Sequence, residues 1–183
     1  YGNLSVIYAH EEKWHKVIEC CNKAIQIKED YYEGLVNLGI AFRMIGKINE
    51  SIKTLKKALS IRNNPEILCN LGDTYHEKKD FTNAIKIFNI ALKAKPNNIV
   101  YNKLSSSLME EGSLKEAEEN IIKSLSIESN NIDTLLLFSQ ILYAKNKIYE
   151  SYKIAEKIYK IDSNNNYNII FLYNLIKSQN KKN

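Results

Sequence analysis

The stretch NLGDTYHEKKDFTNAIKIFNIALKAKP, residues 70–96, decides the fold. It places a small residue, Gly72, directly after Leu71 and three places before Tyr75. The i, i+4 pair Leu71/Tyr75 lies on one face of a helix, with the small residue beside it where a partner helix must come close. After a polar turn a second helix opens on Phe81 and carries a small–large–small rhythm, Ala84, Phe88, Ala91. Working outward, the opening phrase recurs: Asn3-Leu4-Ser5 and Asn37-Leu38-Gly39 precede Asn70-Leu71-Gly72, and Ser105 and Ser139 continue the small slot. The five small residues are 34, 33, 33 and 34 positions apart. A fixed period in this range marks stacked supersecondary units, each unable to bury its apolar face without a neighbour.

The remaining slots follow in phase. Before the small residue come Leu4, Leu38, Leu71, Leu104 and Phe138; after it come Tyr8, Phe42, Tyr75, Leu108 and Leu142. Second helices are predicted to open on Trp14, Ile48, Phe81, Leu114 and Ile148. Their inner faces read Val17/Cys21/Ala24, Ser51/Leu55/Ala58, Ala84/Phe88/Ala91, Ala117/Ile121/Ser124 and Ser151/Ala155/Ile158. Enlarging Gly39 or Gly72 is expected to overpack the helix contact, at roughly 1–3 kcal/mol. Gly46 and Gly112 serve two of the turns inside a pair, and Ser113 with Glu116 fits a capping box. Between pairs the chain runs through Asn63-Asn64, Asn97-Asn98, Asn130-Asn131 and Asn164-Asn165-Asn166, a residue that tolerates left-handed backbone and caps helices. No segment alternates with the period of a strand, so the class is all-α.

Composition narrows the function. The net charge of +5 on 183 residues comes from lysine, with Arg43 and Arg62 the only arginines. Lysine spread along a chain is poor support for nucleic-acid reading, which leans on arginine for bidentate contacts. Lys23, Lys57, Lys123 and Lys157 repeat at one slot and are placed on a solvated outer face. Cys20, Cys21 and Cys69 form neither a disulfide framework nor a zinc spacing, which fits a reducing compartment such as the cytoplasm. His10, His15 and His76 fall on different faces or repeats. No phosphate loop, paired carboxylates in a cleft or nucleophile elbow is present, so no catalytic residue, metal or cofactor is expected. No apolar run is long enough to cross a membrane, and the densest, Ile169 to Ile176, is interrupted by Asn174.

A helix pair of this length and slot order resembles the tetratricopeptide repeat (TPR) family, and residues 70–96 match its pattern nearly in full. The resemblance implies a right-handed superhelical solenoid of antiparallel helix pairs, in one array with repeats at about 1–31, 32–64, 65–97, 98–131 and 132–165 and an extra helix at about 166–180. Serine in the glycine slot of the last two repeats, Ile158 in a small slot and a single closing proline, Pro96, are departures. Tyr1 falls inside the expected first helix, and the last helix is apolar nearly all round. Either this is a piece of a longer protein or that helix docks onto something.

In this family the first helix of each pair lines the concave face. The resemblance therefore implies a peptide-binding groove of Asn3 and Val6; Val36, Asn37 and Ile40; Cys69, Asn70 and Asp73; Asn102, Lys103 and Ser106; Leu136, Leu137 and Gln140; and Ile170, Phe171 and Asn174. The equivalent residues Asn3, Asn37 and Asn70 each offer a donor and an acceptor. They can form a ladder on a peptide backbone, or simply close hydrogen bonds within their own helices. The carboxylate clamp of heat-shock co-chaperones does not transfer: its five slots read Gly2, Val6, Asn37, Glu66 and Asn70, and shifting one repeat gives Val36, Ile40, Asn70, Ile99 and Lys103. At the C-terminal end Leu136, Leu137, Tyr143, Ile170 and Phe171 are expected to form an exposed apolar patch, open to an apolar peptide, to further repeats or to a second copy of the chain. The expected role is a non-catalytic scaffold or adaptor for a protein or peptide. The alternatives are the substrate-recruiting arm of a larger enzyme, such as a sugar transferase, and a self-assembling subunit.

Overall fold

The computed structural model describes residues 1–162 and Lys177. Among the described residues there are α-helices and no strands: α1 (Gly2–His10), α2 (Trp14–Ile27), α3 (Tyr32–Met44), α4 (Ile48–Ile61), α5 (Pro65–Glu77), α6 (Phe81–Ala94), α7 (Asn98–Glu111), α8 (Leu114–Ile127), α9 (Ile132–Ala144) and α10 (Ile148–Ile161). The predicted extra helix at 166–180 lies outside the described residues. The chain divides into two compact units, Tyr1–Lys95 and Pro96–Asn183. In the first, each helix packs on the next, and α3 also touches α1 and α5. In the second, α7 packs on α8, α8 on α9 and α9 on α10, while α7 touches α9.

Each pair is closed by one device. The N–H groups of Lys13, Lys47, Asp80, Ser113 and Lys147 donate to the carbonyls of Tyr8, Phe42, Tyr75, Leu108 and Leu142 at 2.8–2.9 Å. The residue before each donor, Glu12, Gly46, Lys79, Gly112 or Asn146, has φ between 54° and 93°. This is a Schellman motif, in which one left-handed residue lets the chain turn back and satisfies the last carbonyls of the helix. The left-handed asparagine is thus Asn146, inside a pair. The asparagines between pairs are instead extended N-caps: Asn64 accepts from the Glu66 N–H, Asn97 from the Ile99 and Val100 N–H groups, and Asn131 from the Thr134 N–H. The expected capping box at Ser113 does not form. Its side chain makes no cap bond and turns toward the Glu111 carboxylate at 3.5 Å, while its backbone is committed to the Schellman turn.

The small–large slots meet inside each pair. A Cβ on Gly39 would lie 2.6 Å from Leu55 Cγ, and one on Gly72 would lie 2.4 Å from the Phe88 ring, both inside van der Waals contact. Leu55, Phe88, Ile121, Ala155 and Ile158 are at most 1% exposed. Ser5, Ser105 and Ser139, in the glycine slot, are fully buried. Buried hydroxyls need partners, and Ser139 has one: its Oγ lies 2.9 Å from Ser151 Oγ, which donates to the Ser139 carbonyl at 2.8 Å.

Candidate functional site

The first-helix residues singled out above fall into three groups. In the first unit Asn3 and Val6 are exposed on α1, and Asn37, Ile40, Cys69, Asn70 and Asp73 are half-buried on α3 and α5. Val36 is only 8% exposed: it packs with Leu35, Ala58 and Ile67, because the narrow space between α3 and α5 draws it into the core. In the second unit Asn102, Lys103, Ser106, Leu136 and Leu137 are half-buried and Gln140 is exposed. Ile170, Phe171 and Asn174 lie outside the described residues. The expected exposed patch is therefore not open at Leu136, Leu137 or Tyr143, all half-buried; Leu136 packs against Leu135 and Ile158.

The asparagines carry the geometry that matters most. Asn37 Nδ2 donates to Ser5 Oγ at 3.3 Å, and Ser5 Oγ in turn donates to the Gly2 carbonyl at 2.7 Å. Asn70 Nδ2 donates to the Glu66 carbonyl at 3.1 Å, one turn back in its own helix. Asn102 Nδ2 donates to Thr134 Oγ1 at 2.6 Å, and that hydroxyl donates to Asn131 Oδ1 at 3.0 Å. In each case the neighbour can only accept, which fixes the orientation of the amide. Each of the three amides therefore spends one of its two N–H groups within the protein. Among the described residues the enclosed Oδ1 of Asn102 has no partner.

A cavity of about 140 Å³ opens on the α3–α5 face, lined by Tyr32, Glu33, Val36, Asn37, Asn64, Glu66 and Ile67. Its polar atoms are mostly acceptors. A hydrogen bond to the Glu33 carboxylate holds the Tyr32 hydroxyl above its ordinary pKa, with smaller effects from burial and from Glu66, against the lowering by Arg62. Arg62 donates to the same hydroxyl at 2.7 Å and stacks 4.8 Å over the ring. At the other end of α3, Arg43 pairs with Glu77 and ties α3 to α5. The sequence reading missed Tyr32, Glu33 and Asn64 as site residues. Glu33 lies in the first turn of the same helix as Asn37, four residues earlier, so the helical period could have pointed to it.

Elsewhere the side chains serve the scaffold. Burial pushes the Cys21 thiol up, against a hydrogen bond with Ser5, so it stays protonated and poorly nucleophilic. Glu118 accepts from Lys145 and, at 2.7 Å, from Lys147; burial pushes its carboxyl up, but those two bonds outweigh it and hold it below the usual carboxylate range. Among the described residues no group of His, Cys, Asp and Glu could hold a metal ion, and no helix is long and apolar enough to cross a membrane.

The sequence matches family models described as TPR repeat, over residues 41–79, and as tetratricopeptide repeat, over 65–98 and 100–131. It is 29% identical over 138 residues to the Hsp70-Hsp90 organising protein of Plasmodium falciparum (isolate 3D7), a match covering 74% of this chain and 23% of that protein. Two solved structures share the fold. Residues 41 to the end of MamA from Desulfovibrio magneticus RS-1 superpose with a TM-score of 0.82 at 16% identity, covering 90% of this chain and 94% of that one. PilF of Pseudomonas aeruginosa superposes with a TM-score of 0.85 at 17% identity, covering 99% and 83%. At these identities the likeness is one of fold, an all-α repeat solenoid.

Proposed function

We propose that this chain, which belongs to the tetratricopeptide repeat family, is a protein–protein interaction scaffold that holds a peptide or partner segment along the face of its first helices. The observation that carries this reading is the α3–α5 face, where a cavity coincides with Asn37 and with the carboxylates of Glu33 and Glu66. The second helices bury small and large residues against the Gly39 and Gly72 side of the first helices and turn lysines such as Lys53 and Lys86 outward, as a support does. The Plasmodium relative is named an Hsp70-Hsp90 organising protein, a name that suits a scaffold. A chaperone's C-terminal carboxylate is not the ligand proposed here: Glu66 stands in a slot where the clamp needs a cation, and would repel it.

Affinity capture tests the reading, with the wild type set against Asn37→Ala/Asn70→Ala and against the outer-face control Lys53→Ala/Lys86→Ala. Circular dichroism and thermal melting confirm first that all three fold alike. Partners are expected to be lost with the asparagine variant and kept with the lysine variant. The opposite pattern would place binding on the second helices and refute the proposal.

A further inference from the structure

Resting on the scaffold reading, we infer that the cavity on the α3–α5 face takes a cationic side chain, lysine or arginine, of the bound segment. The hydrogen-bond inventory leads there. The Tyr32 hydroxyl is engaged on both sides, with the Arg62 guanidinium and the Glu33 carboxylate, and Asn37 has turned its N–H group to Ser5. What remains beside the cavity is the Asn37 carbonyl oxygen and the carboxylates of Glu33 and Glu66, against only the second N–H of Asn37 and the Asn64 amide as donors, so the charged groups among its lining residues are all anionic. Among the described residues no cation forms an ion pair with Glu33 or Glu66.

Acceptors in such excess require a ligand that brings several N–H donors, which an ammonium or guanidinium does and a carboxylate or phosphate cannot. Arg62 is the opposing charge. It is held over the Tyr32 ring and bonded to the Tyr32 hydroxyl, and it is not among the residues that line the cavity, whereas two carboxylates are. Val36 and Ile67 supply apolar wall for the methylene stem of a basic side chain, whose charged end would reach the acceptors. The volume suits this ligand as well: about 140 Å³ holds a few waters at roughly 30 Å³ each, or the end of one long side chain. The chain as a whole is basic, so the preference is local to this face and inverts the protein's net charge.

The test is a titration of the full chain, followed by amide chemical shifts, with a short Gly–Ser peptide carrying lysine. The same peptide with arginine, acetyllysine and glutamate provides the comparison. The lysine and arginine peptides are expected to shift the amides around Glu33, Asn37 and Glu66 and to bind about fivefold more tightly than the acetyllysine peptide. Glu33→Gln/Glu66→Gln, at two exposed positions and with unchanged circular dichroism, is expected to abolish that difference. If the acetyllysine or glutamate peptide shifts the same amides as strongly, the face still holds peptides and the cation inference alone is overturned. Shifts confined to other surfaces, or untouched by the double variant, overturn it too. If no peptide perturbs α1, α3 or α5, the inference falls, and the capture experiment decides the scaffold reading separately.

Discussion

In the third helix pair, α5 with α6, Gly72 lies so close to Phe88 that a Cβ would sit 2.4 Å from the ring. In the fifth pair, α9 with α10, the same slot holds Ser139, the slot facing it holds Ser151, and the place of Phe88 is taken by Ala155. The first contact is filled by an aromatic ring; the second is closed by hydroxyls 2.9 Å apart. All of these residues are buried. The small and large slots are therefore set jointly. A serine that departs from the repeat pattern is matched by a smaller residue opposite, and its hydroxyl finds a partner in the room gained. The fourth pair stands between: Ser105 keeps a large neighbour, Ile121, in the facing slot, and among the described residues its Oγ has no hydrogen-bond partner.

If the slots are read jointly, substitutions in the two pairs, with one in α8 for scale, should separate them, each followed by urea denaturation. Phe88→Ala is expected to cost the most, about 3–5 kcal/mol, because it empties the space that Gly72 was small enough to admit. Gly72→Ala should cost about 1–3 kcal/mol by overpacking. Adding Phe88→Leu to it should recover part of that loss, and strict additivity would deny the coupling. Ser151→Ala removes the hydroxyl that donates to the Ser139 carbonyl and should cost about 1 kcal/mol. Glu118→Gln, which loosens the ties from α8 to Lys145 and Lys147, should cost less than about 1 kcal/mol. Its pH dependence has a definite sign. The folded pKa of Glu118 is lowered, so its contribution is complete above the unfolded value of about 4.3 and is lost as pH falls through the lower folded value. The variant should flatten the acid side of the stability profile, and an unchanged profile would show that the pair adds nothing.

Much of this architecture could be read from the sequence, since burial imposes a period that few other demands disturb. The helix starts at Trp14, Ile48, Phe81, Leu114 and Ile148 and the buried slots of the second helices are set by apolar spacing alone. What misled were residues with more than one local use. Asparagine between pairs could cap or turn, and the chain caps there; the left-handed position is one residue before each second-helix cap, where Glu12 and Lys79 carry no compositional mark. The first-helix face proposed for binding follows from the helical period, but its hydrogen bonding does not. Asn37 and Asn70 have the right spacing, yet their N–H groups point to Ser5 and to the Glu66 carbonyl, a choice that depends on neighbours one repeat or one turn away. Val36 is buried and Leu136 half-buried because helical period gives the face of a residue and not how closely the next helix approaches it.

The division of labour between first and second helices is tested most directly by site-resolved photo-crosslinking. A photoreactive residue would replace Ile40 on the first-helix face of α3 or, in a separate chain, Lys53 on the exposed side of α4. Partner crosslinks should form from position 40 and be absent from position 53. Crosslinks that form only from position 53 would mean that the lysine-bearing second helices are the working surface and that the cavity beside Asn37 is incidental to binding.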